Sequence, residues 1–599
     1  MWNVENKPRE PTDVEEIRET VILETSKGKI RGFVSQSPKG QTLLNFRGIP
    51  YAKPPIGELR FKHPEEMNCW EPKIKDCFYF GSRCLQRTSY GVELPLVPIW
   101  WRLYKDTQSY LFGWGKNEDI NDPEPQDPNQ SEDCLTLNVC TPDTEAKLPV
   151  IVFIHGGGFT LGHSGEQLYA QQWGTPLADH NCVFVSFNYR LGMFGYLKVE
   201  GGDYNNGLAD QIAALTWVKN EIHKFGGDPA CITISGHSAG AMSVASILAC
   251  PKAKGLFQRA ILMSGAAFNA ISKEEADVVS GIASKVLGTK LSKQNLARFT
   301  STQILAAQNY MRDKPNPMPF QPVVDGDLLP NFPQVAISEG KFNHFFSRKT
   351  NRHKGFAADI DLLVGVTKDE ANYFKSILPI HPYNKWSLAR FFRLVFTLFI
   401  EQTFNEMHVE DLMNEYLKHH SETQGHASIF FRFLSEVLFD APASLLCETH
   451  FESTFNVIET NRRGKTFRYR FDYEGPLGSI HGIDLPFLFG TWNGWKQDYT
   501  LRRLIGENLP DEKLQLLADN FIACFANFVK SGNPNCKEIL PLIWPAFTVE
   551  KRETFIFDMH SHQVNEVAHN NHRDGSPSFE KTVKTMHEVI SRKWKALTK

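Results

Sequence analysis

The chain has 599 residues, 41% of them hydrophobic and 22% charged, which is apolar material for a large buried core and excludes a disordered chain. A formal net charge of -3, with Lys and Arg scattered along the sequence, excludes the basic field that nucleic-acid binding needs and leaves small molecules as the expected partners. No linker or repeat divides the sequence, so one large domain is expected.

The first twenty residues, MWNVENKPREPTDVEEIRET, are polar and acidic and lack the apolar stretch of a secretory signal. The expectation is a cytoplasmic protein, or a secreted one if a leader has been removed. Residues 1–18 read as a polar tail and 19–573 as the folded domain. Its start, ETVILETSKGKIRGFV, alternates apolar residues on either side of Lys27-Gly28, as strand, turn and strand do. Between about 85 and 131 this pattern breaks. Trp100, Trp101, Tyr104, Tyr110 and Trp114 precede the acidic, proline-rich NEDINDPEPQDPNQS, which reads as a long surface excursion and holds the glycosylation sequon Asn129-Gln130-Ser131.

Further on, apolar strands alternate with helices. LPVIVFIHGGG and CVFVSFNYRLG are strands running into turns. DYNNGLADQIAALTWVKNEIHKFGG sets Leu208, Ile212, Leu215, Val218 and Ile222 on one helical face before a Gly stop, and CITIS, DLLVGV and KTFRYRFDY are later strands. The pattern predicts an α/β protein: a large, mostly parallel central sheet with helices on both faces, in a single domain with long loop excursions. The most apolar run, Phe391 to Ile400, contains Arg393 and is too short to span a bilayer, so no transmembrane segment is expected. At 576–599, Phe579, Val583, Met586, Ile590, Trp594 and Leu597 recur at helical spacing. They predict an amphipathic helix that packs on this chain or joins a homodimer. The eleven cysteines are irregularly spaced, without CxxC pairs or a Cys/His cluster at metal spacing. Buried thiols, with no metal and no organic cofactor, are expected.

Gly236-His237-Ser238-Ala239-Gly240 fits G-x-S-x-G, a strand-to-helix elbow that presents a serine hydroxyl for nucleophilic attack. With Gly and Ser each near ~7% of residues, roughly one chain in five of this length would contain the pattern by chance. Context strengthens it, because Ile232-Thr233-Ile234 precedes the motif and the small-residue helix AGAMSVASILA follows. A serine hydroxyl needs a base, and that base needs an acid to hold its tautomer. In the order this elbow implies, Glu370 follows DLLVGVTKD and His481 follows FRYRFDYEGPLGSI, although Asp369 and Asp361 rival Glu370 on spacing alone. His237 is set aside as the base, since neighbours on a tight elbow point apart. The developing oxyanion requires N–H donors worth on the order of 3 kcal/mol each. His155-Gly156-Gly157-Gly158-Phe159 and the N–H of Ala239 suit that role.

The chain resembles the type-B carboxylesterase and cholinesterase family from about residue 20 to 570. FRGIPYAKPPIGELRF, SEDCLTLNV, HGGGF, NYRLGMFGYL, GLADQIAALTWVKNEI, FGGDP, GHSAG, PVVDGDLLP, GVTKDE and HGIDLPFLFG occur in family order. The resemblance implies an α/β-hydrolase fold and a Ser-His-Glu triad on Ser238, His481 and Glu370. It also implies oxyanion donors at Gly157, Gly158 and Ala239, and a Cys84–Cys134 disulfide that a reducing cytosol would leave open. Glu124 stands where cholinesterases carry the choline-stacking tryptophan, and a carboxylate offers no aromatic face to a cation. Asn316 and Met318 replace two acyl-pocket phenylalanines, which implies a roomier pocket. His237 replaces the usual Glu before the nucleophile and is expected to alter the pH profile as a group titrating near neutrality. Trp100, Trp101 or Trp114 would line the entrance or bury themselves.

The expected function is hydrolysis of small to medium neutral carboxyl esters through an acyl-enzyme, in an invertebrate-type intracellular carboxylesterase rather than a true cholinesterase. Alternatives are acyl transfer from the same acyl-serine, or a catalytically idle adhesion or signalling protein of the same lineage.

Overall fold

The computed structural model describes residues 19–70, 73–87, 127–165, 174–267, 269–312, 319–338, 357–373, 426–455, 463–473, 475–497, 502–506, 510–539, 541–558 and 565–568. The polar tail, the helix expected at 576–599, the Phe391 to Ile400 run, Glu124, Trp100, Trp101, Trp114, Asn316 and Met318 lie outside them.

Strands β1 (Thr20–Thr25) and β2 (Gly28–Gln36) form the expected hairpin. Thr25 Oγ1 closes its turn by donating to the Gly28 carbonyl at 2.7 Å. They are followed by β3 (Thr42–Pro50), β4 (Lys75–Asp76), β5 (Thr136–Thr141), β6 (Leu148–Ile154), β7 (Val183–Phe187) and β8 (Gly227–His237). Next come β9 (Arg259–Met263), β10 (Asp361–Thr367), β11 (Thr466–Phe471), β12 (Thr554–Phe557) and β13 (Asn565–Ala568). Among the described residues these make one 13-stranded sheet in the order β1-β2-β3-β5-β7-β6-β8-β9-β10-β11-β12-β13, with β4 beside β2. Neighbours from β7 to β12 run parallel, and the pairs outside that run along the sheet order are antiparallel.

Parallel strands are covered on both faces, which is why β6 and most of β7 are continuously apolar rather than alternating, whereas β11 carries Arg468 and Arg470 at positions that are buried as well. On β6, Val150, Val152 and Ile154 belong to one core with Leu208, Val244 and Leu262, while Ile151 and Phe153 belong to a second with Phe184, Phe467, Phe521 and Phe525. Helices α1 (Asn206–Glu221) and α2 (Ala239–Leu248) cover the first face. Helices α3 (Lys273–Leu287), α4 (Ser301–Arg312), α5 (His426–Ser435) and α6 (Ala441–Phe455) follow in the chain, and α7 (Asp511–Ser531) covers the second face.

Polar residues inside the resembling motifs have structural work. The Arg190 guanidinium pairs with Asp210 through Nε at 2.8 Å and Nη2 at 2.7 Å, and its backbone N–H donates to the same carboxylate, tying the loop after β7 to α1. Arg60 meets Glu132 and donates to the Phe299 carbonyl, joining FRGIPYAKPPIGELRF to SEDCLTLNV. Asn205, at φ 57, bonds Val323 through both its amide oxygen and its amide nitrogen, which anchors PVVDGDLLP to the start of α1.

The chain passes from β6 to β7 on one side and then returns to β8 on the other. Loops leaving the carboxyl ends of β6 and β8 therefore diverge and open a crevice, the place where sheets of this kind bind ligands. The Gly-rich turn follows β6, and Ser238 follows β8.

Candidate active site

Ser238 joins β8 to α2 with φ 57 and ψ -125, a region that costs a non-glycine residue about 1–3 kcal/mol. Its N–H donates to the Met263 carbonyl at 2.9 Å and its carbonyl accepts from Met242 at 3.0 Å, so both neighbouring elements hold the turn. Only glycine fits on either side. A Cβ on Gly240 would stand 2.0 Å from the Ile154 carbonyl oxygen, and one on Gly236 would stand 2.4 Å from the Gly240 carbonyl.

The turn after β6 lies directly against this elbow, since a Cβ on Gly156 would be 2.6 Å from the His237 oxygen and 3.0 Å from Ser238 Cβ. Gly157, Gly158 and Phe159 all have positive φ, at 115, 60 and 60. The Gly157 carbonyl accepts from Thr160 and Leu161, and Gln86 clamps Gly162 in both directions at 2.8 Å. Ala239 is the first residue of α2, where helix geometry supplies no carbonyl partner for the N–H.

His481 and Glu370 come together across 111 residues, with Nδ1 2.6 Å from Oε2. The other carboxylate oxygen accepts from Thr367 N–H at 2.8 Å, and His481 N–H donates to the Glu370 carbonyl at 3.2 Å. Glu370 is fully buried, so its contact with the imidazole is shielded from water. The rival acids are used elsewhere. Asp369 accepts from Ser479 N–H, and Asp361 faces Arg259 and accepts from Lys465 N–H at 3.0 Å.

His237 packs its ring on His481 with centroids 4.6 Å apart, and Phe439 flanks the same imidazole at 4.8 Å. The expectation that His237 titrates near neutrality fails here. It is buried, and desolvation, followed by repulsion from His481, pushes its pKa well below the usual histidine value. Its ring is therefore neutral across the neutral range.

Two features of the site were not legible as such. Phe439 belongs to a segment without a motif. Asp484 stands inside the quoted HGIDLPFLFG, where a carboxyl amid apolar residues was the available signal. It is buried, accepts from Tyr469 Oη at 3.1 Å, and is pushed up to about 7 by burial and then by the charge of Glu370. Cys84 and Cys134 are buried free thiols whose Sγ atoms lie 2.8 Å apart, with no bond between them, and Cys84 Sγ also lies 2.9 Å from the Tyr189 carbonyl oxygen. Asn129 is exposed in a turn where its N–H donates to Asp127. Among the described residues no group of three or more His, Cys, Asp or Glu could hold a metal, and no helix is long and apolar enough to cross a membrane.

A model of the carboxylesterase family matches residues 19–575. The chain belongs to the carboxylesterase family. It is 33% identical to para-nitrobenzyl esterase of Bacillus subtilis, over 90% of this chain and 94% of that one. It is 30% identical to cholinesterase of Mus musculus, over 88% and 82% respectively. Among solved structures, a PNB esterase superposes with a TM-score of 0.70 at 29% identity, covering 93% of this chain and 99% of that one. Carboxylesterase EST55 of Geobacillus stearothermophilus gives 0.71 at 27%, covering 94% and 99%. These likenesses carry the α/β-hydrolase fold and a carboxylic-ester hydrolase activity to this member of the family.

Proposed function

We propose that this carboxylesterase-family chain cleaves esters through Ser238, His481 and Glu370. The observation that carries the reading is the 2.6 Å contact between His481 Nδ1 and buried Glu370, beside a serine held on a strained elbow. Glu370 fixes the tautomer with the proton on Nδ1, which leaves Nε2 free to take the Ser238 proton as Oγ attacks the carbonyl carbon. The tetrahedral oxyanion then accepts from the N–H groups of Gly157, Gly158 and Ala239. Collapse expels the alcohol, protonated by His481, and water activated by the same imidazole hydrolyses the acyl-serine.

Small to medium neutral carboxyl esters suit this arrangement better than choline esters. Glu124 in place of the choline-site aromatic and the neutral His237 beside the nucleophile support that preference, as does the similarity to a para-nitrobenzyl esterase.

The test is hydrolysis of short and medium-chain nitrophenyl esters by wild type and Ser238→Ala. The variant should lose about 10⁴-fold or more in kcat at unchanged fold, and equal rates would overturn the mechanism. Repeating the assay with a competing alcohol separates hydrolysis from acyl transfer by the products formed. An adhesion or signalling protein would turn over none of these esters.

A further inference from the structure

Far from the ester site, α7 ends at Gly532 and the chain turns back so that Cys536 Sγ lies 3.7 Å from Cys524 Sγ. The turn is fixed by side-chain amides. Asn527 on α7 donates to the Asn533 carbonyl at 2.9 Å. Asn535 donates to the Trp544 carbonyl at 2.8 Å and accepts from Trp544 N–H at 2.7 Å. Trp544 is fully buried, so this short segment is anchored to the core beside α7.

The two thiols are unlike. Cys524 faces the core on α7 and is fully buried, whereas Cys536 is partly exposed on the returning segment. The contact with Cys524 moves the Cys536 pKa down, against burial and the neighbouring Glu538, which raise it, while burial moves Cys524 up. A partly exposed thiol of lowered pKa beside a shielded second thiol is the pattern of an attacking and a resolving cysteine.

We propose that Cys524 and Cys536 are a redox-reactive pair that closes to an intramolecular disulfide with a low-molecular-weight disulfide as oxidant. The Cys536 thiolate attacks one sulfur of the oxidant, breaking its S–S bond and releasing one small thiol after protonation. Cys524 then gives up its proton and attacks the Cys536 sulfur of the mixed disulfide, releasing the second small thiol. Two protein thiols are oxidised and one small disulfide is reduced to two thiols. Bond formation draws the sulfurs from 3.7 Å to about 2.0 Å, a movement that falls to the partly exposed Cys536 side of the turn. The product staples the last turns of α7 to the segment that follows it.

The test treats the folded full-length protein with glutathione disulfide and maps its peptides without reduction. The expected product is a bridged Cys524–Cys536 peptide, with Cys69, an exposed thiol, carried as a mixed glutathione disulfide. In Cys536→Ser the bridged peptide should vanish while ester hydrolysis remains at the wild-type rate, which separates this pair from the esterase reading. In Cys524→Ala, Cys536 should accumulate as the mixed disulfide, and Cys536→Ser decides the matter alone if that core variant does not fold. A stable mixed disulfide on Cys536 in wild type, or an unmodified Cys536 where Cys69 has reacted, overturns the proposal.

Discussion

At His237 the structure replaces a titrating group with a silent one. Sequence reasoning identified the position but took the ordinary histidine pKa for it, because nothing in GHSAG reports burial. Packed on His481 with its own pKa pushed down by burial, His237 leaves that imidazole hydrogen-bonded to Glu370, with Asp484 pushed up to about 7 nearby. A glutamate at 237 would set a carboxylate against the imidazole and favour its protonated form. The sign follows: the base must be unprotonated to act, so the acidic limb of kcat/KM in His237→Glu should move to higher pH, by about one unit. His237→Gln should keep the wild-type limb. Profiles of the three proteins between about pH 5.5 and 8 check this, and coincident curves for wild type and His237→Glu would show that the two rings do not communicate. Spacing left Asp361, Asp369 and Glu370 open, and only the resemblance chose among them; in the structure Asp369 and Asp361 are visibly engaged with Ser479 N–H and with Arg259 and Lys465.

The elements that position the site were the most legible part of the sequence. β6, β7, β10 and the second half of β8 are buried apolar runs ending in glycine or polar clusters, and β11, although it alternates with Arg468 and Arg470, is buried along its whole length. β3 and β5 do not read as strands from their sequence, because Arg47, Asn45 and Asn138 interrupt their apolar pattern. Asn138 accepts from Gly48 N–H and donates to Ser164 and Ser186, contacts that no local pattern announces. β9, only five residues long, passed unmarked between α2 and the following loop. α1 reads as amphipathic, yet Asp210 on its other side is also fully buried under the loop that carries Arg190, and Gln211 on the apolar face is buried against Ser243 of α2. The elbow gives the sharpest expectation at this scale. Gly240→Ala adds a methyl that would meet the Ile154 carbonyl at 2.0 Å. Backbone on both sides blocks relief, so a loss of about 4 kcal/mol or more is expected. Thermal unfolding should show it, together with loss of esterase activity in whatever fraction folds.

Across the whole molecule, order of motifs told more than any one of them. A single G-x-S-x-G match is close to chance, whereas ten motifs in sequence fixed both the family and the sheet that the structure displays. What order could not convey is the surroundings of the site contributed by segments without motifs, such as Phe439. The same geometry has a kinetic corollary. Ser238, Glu370 and His481 follow β8, β10 and β11, and the latter two meet across 111 residues. The groups converge only after β9 has been inserted between β8 and β10. Sheets assembled from such distant segments form slowly, since loop closure precedes the contacts that reward it. During refolding from denaturant, esterase activity should therefore return later than far-UV circular dichroism. Simultaneous recovery of the two signals would mean that the sheet and its catalytic edge condense in one step. A lag would make competence a report on the last strand to arrive, with a chain that holds most of its secondary structure while still inert.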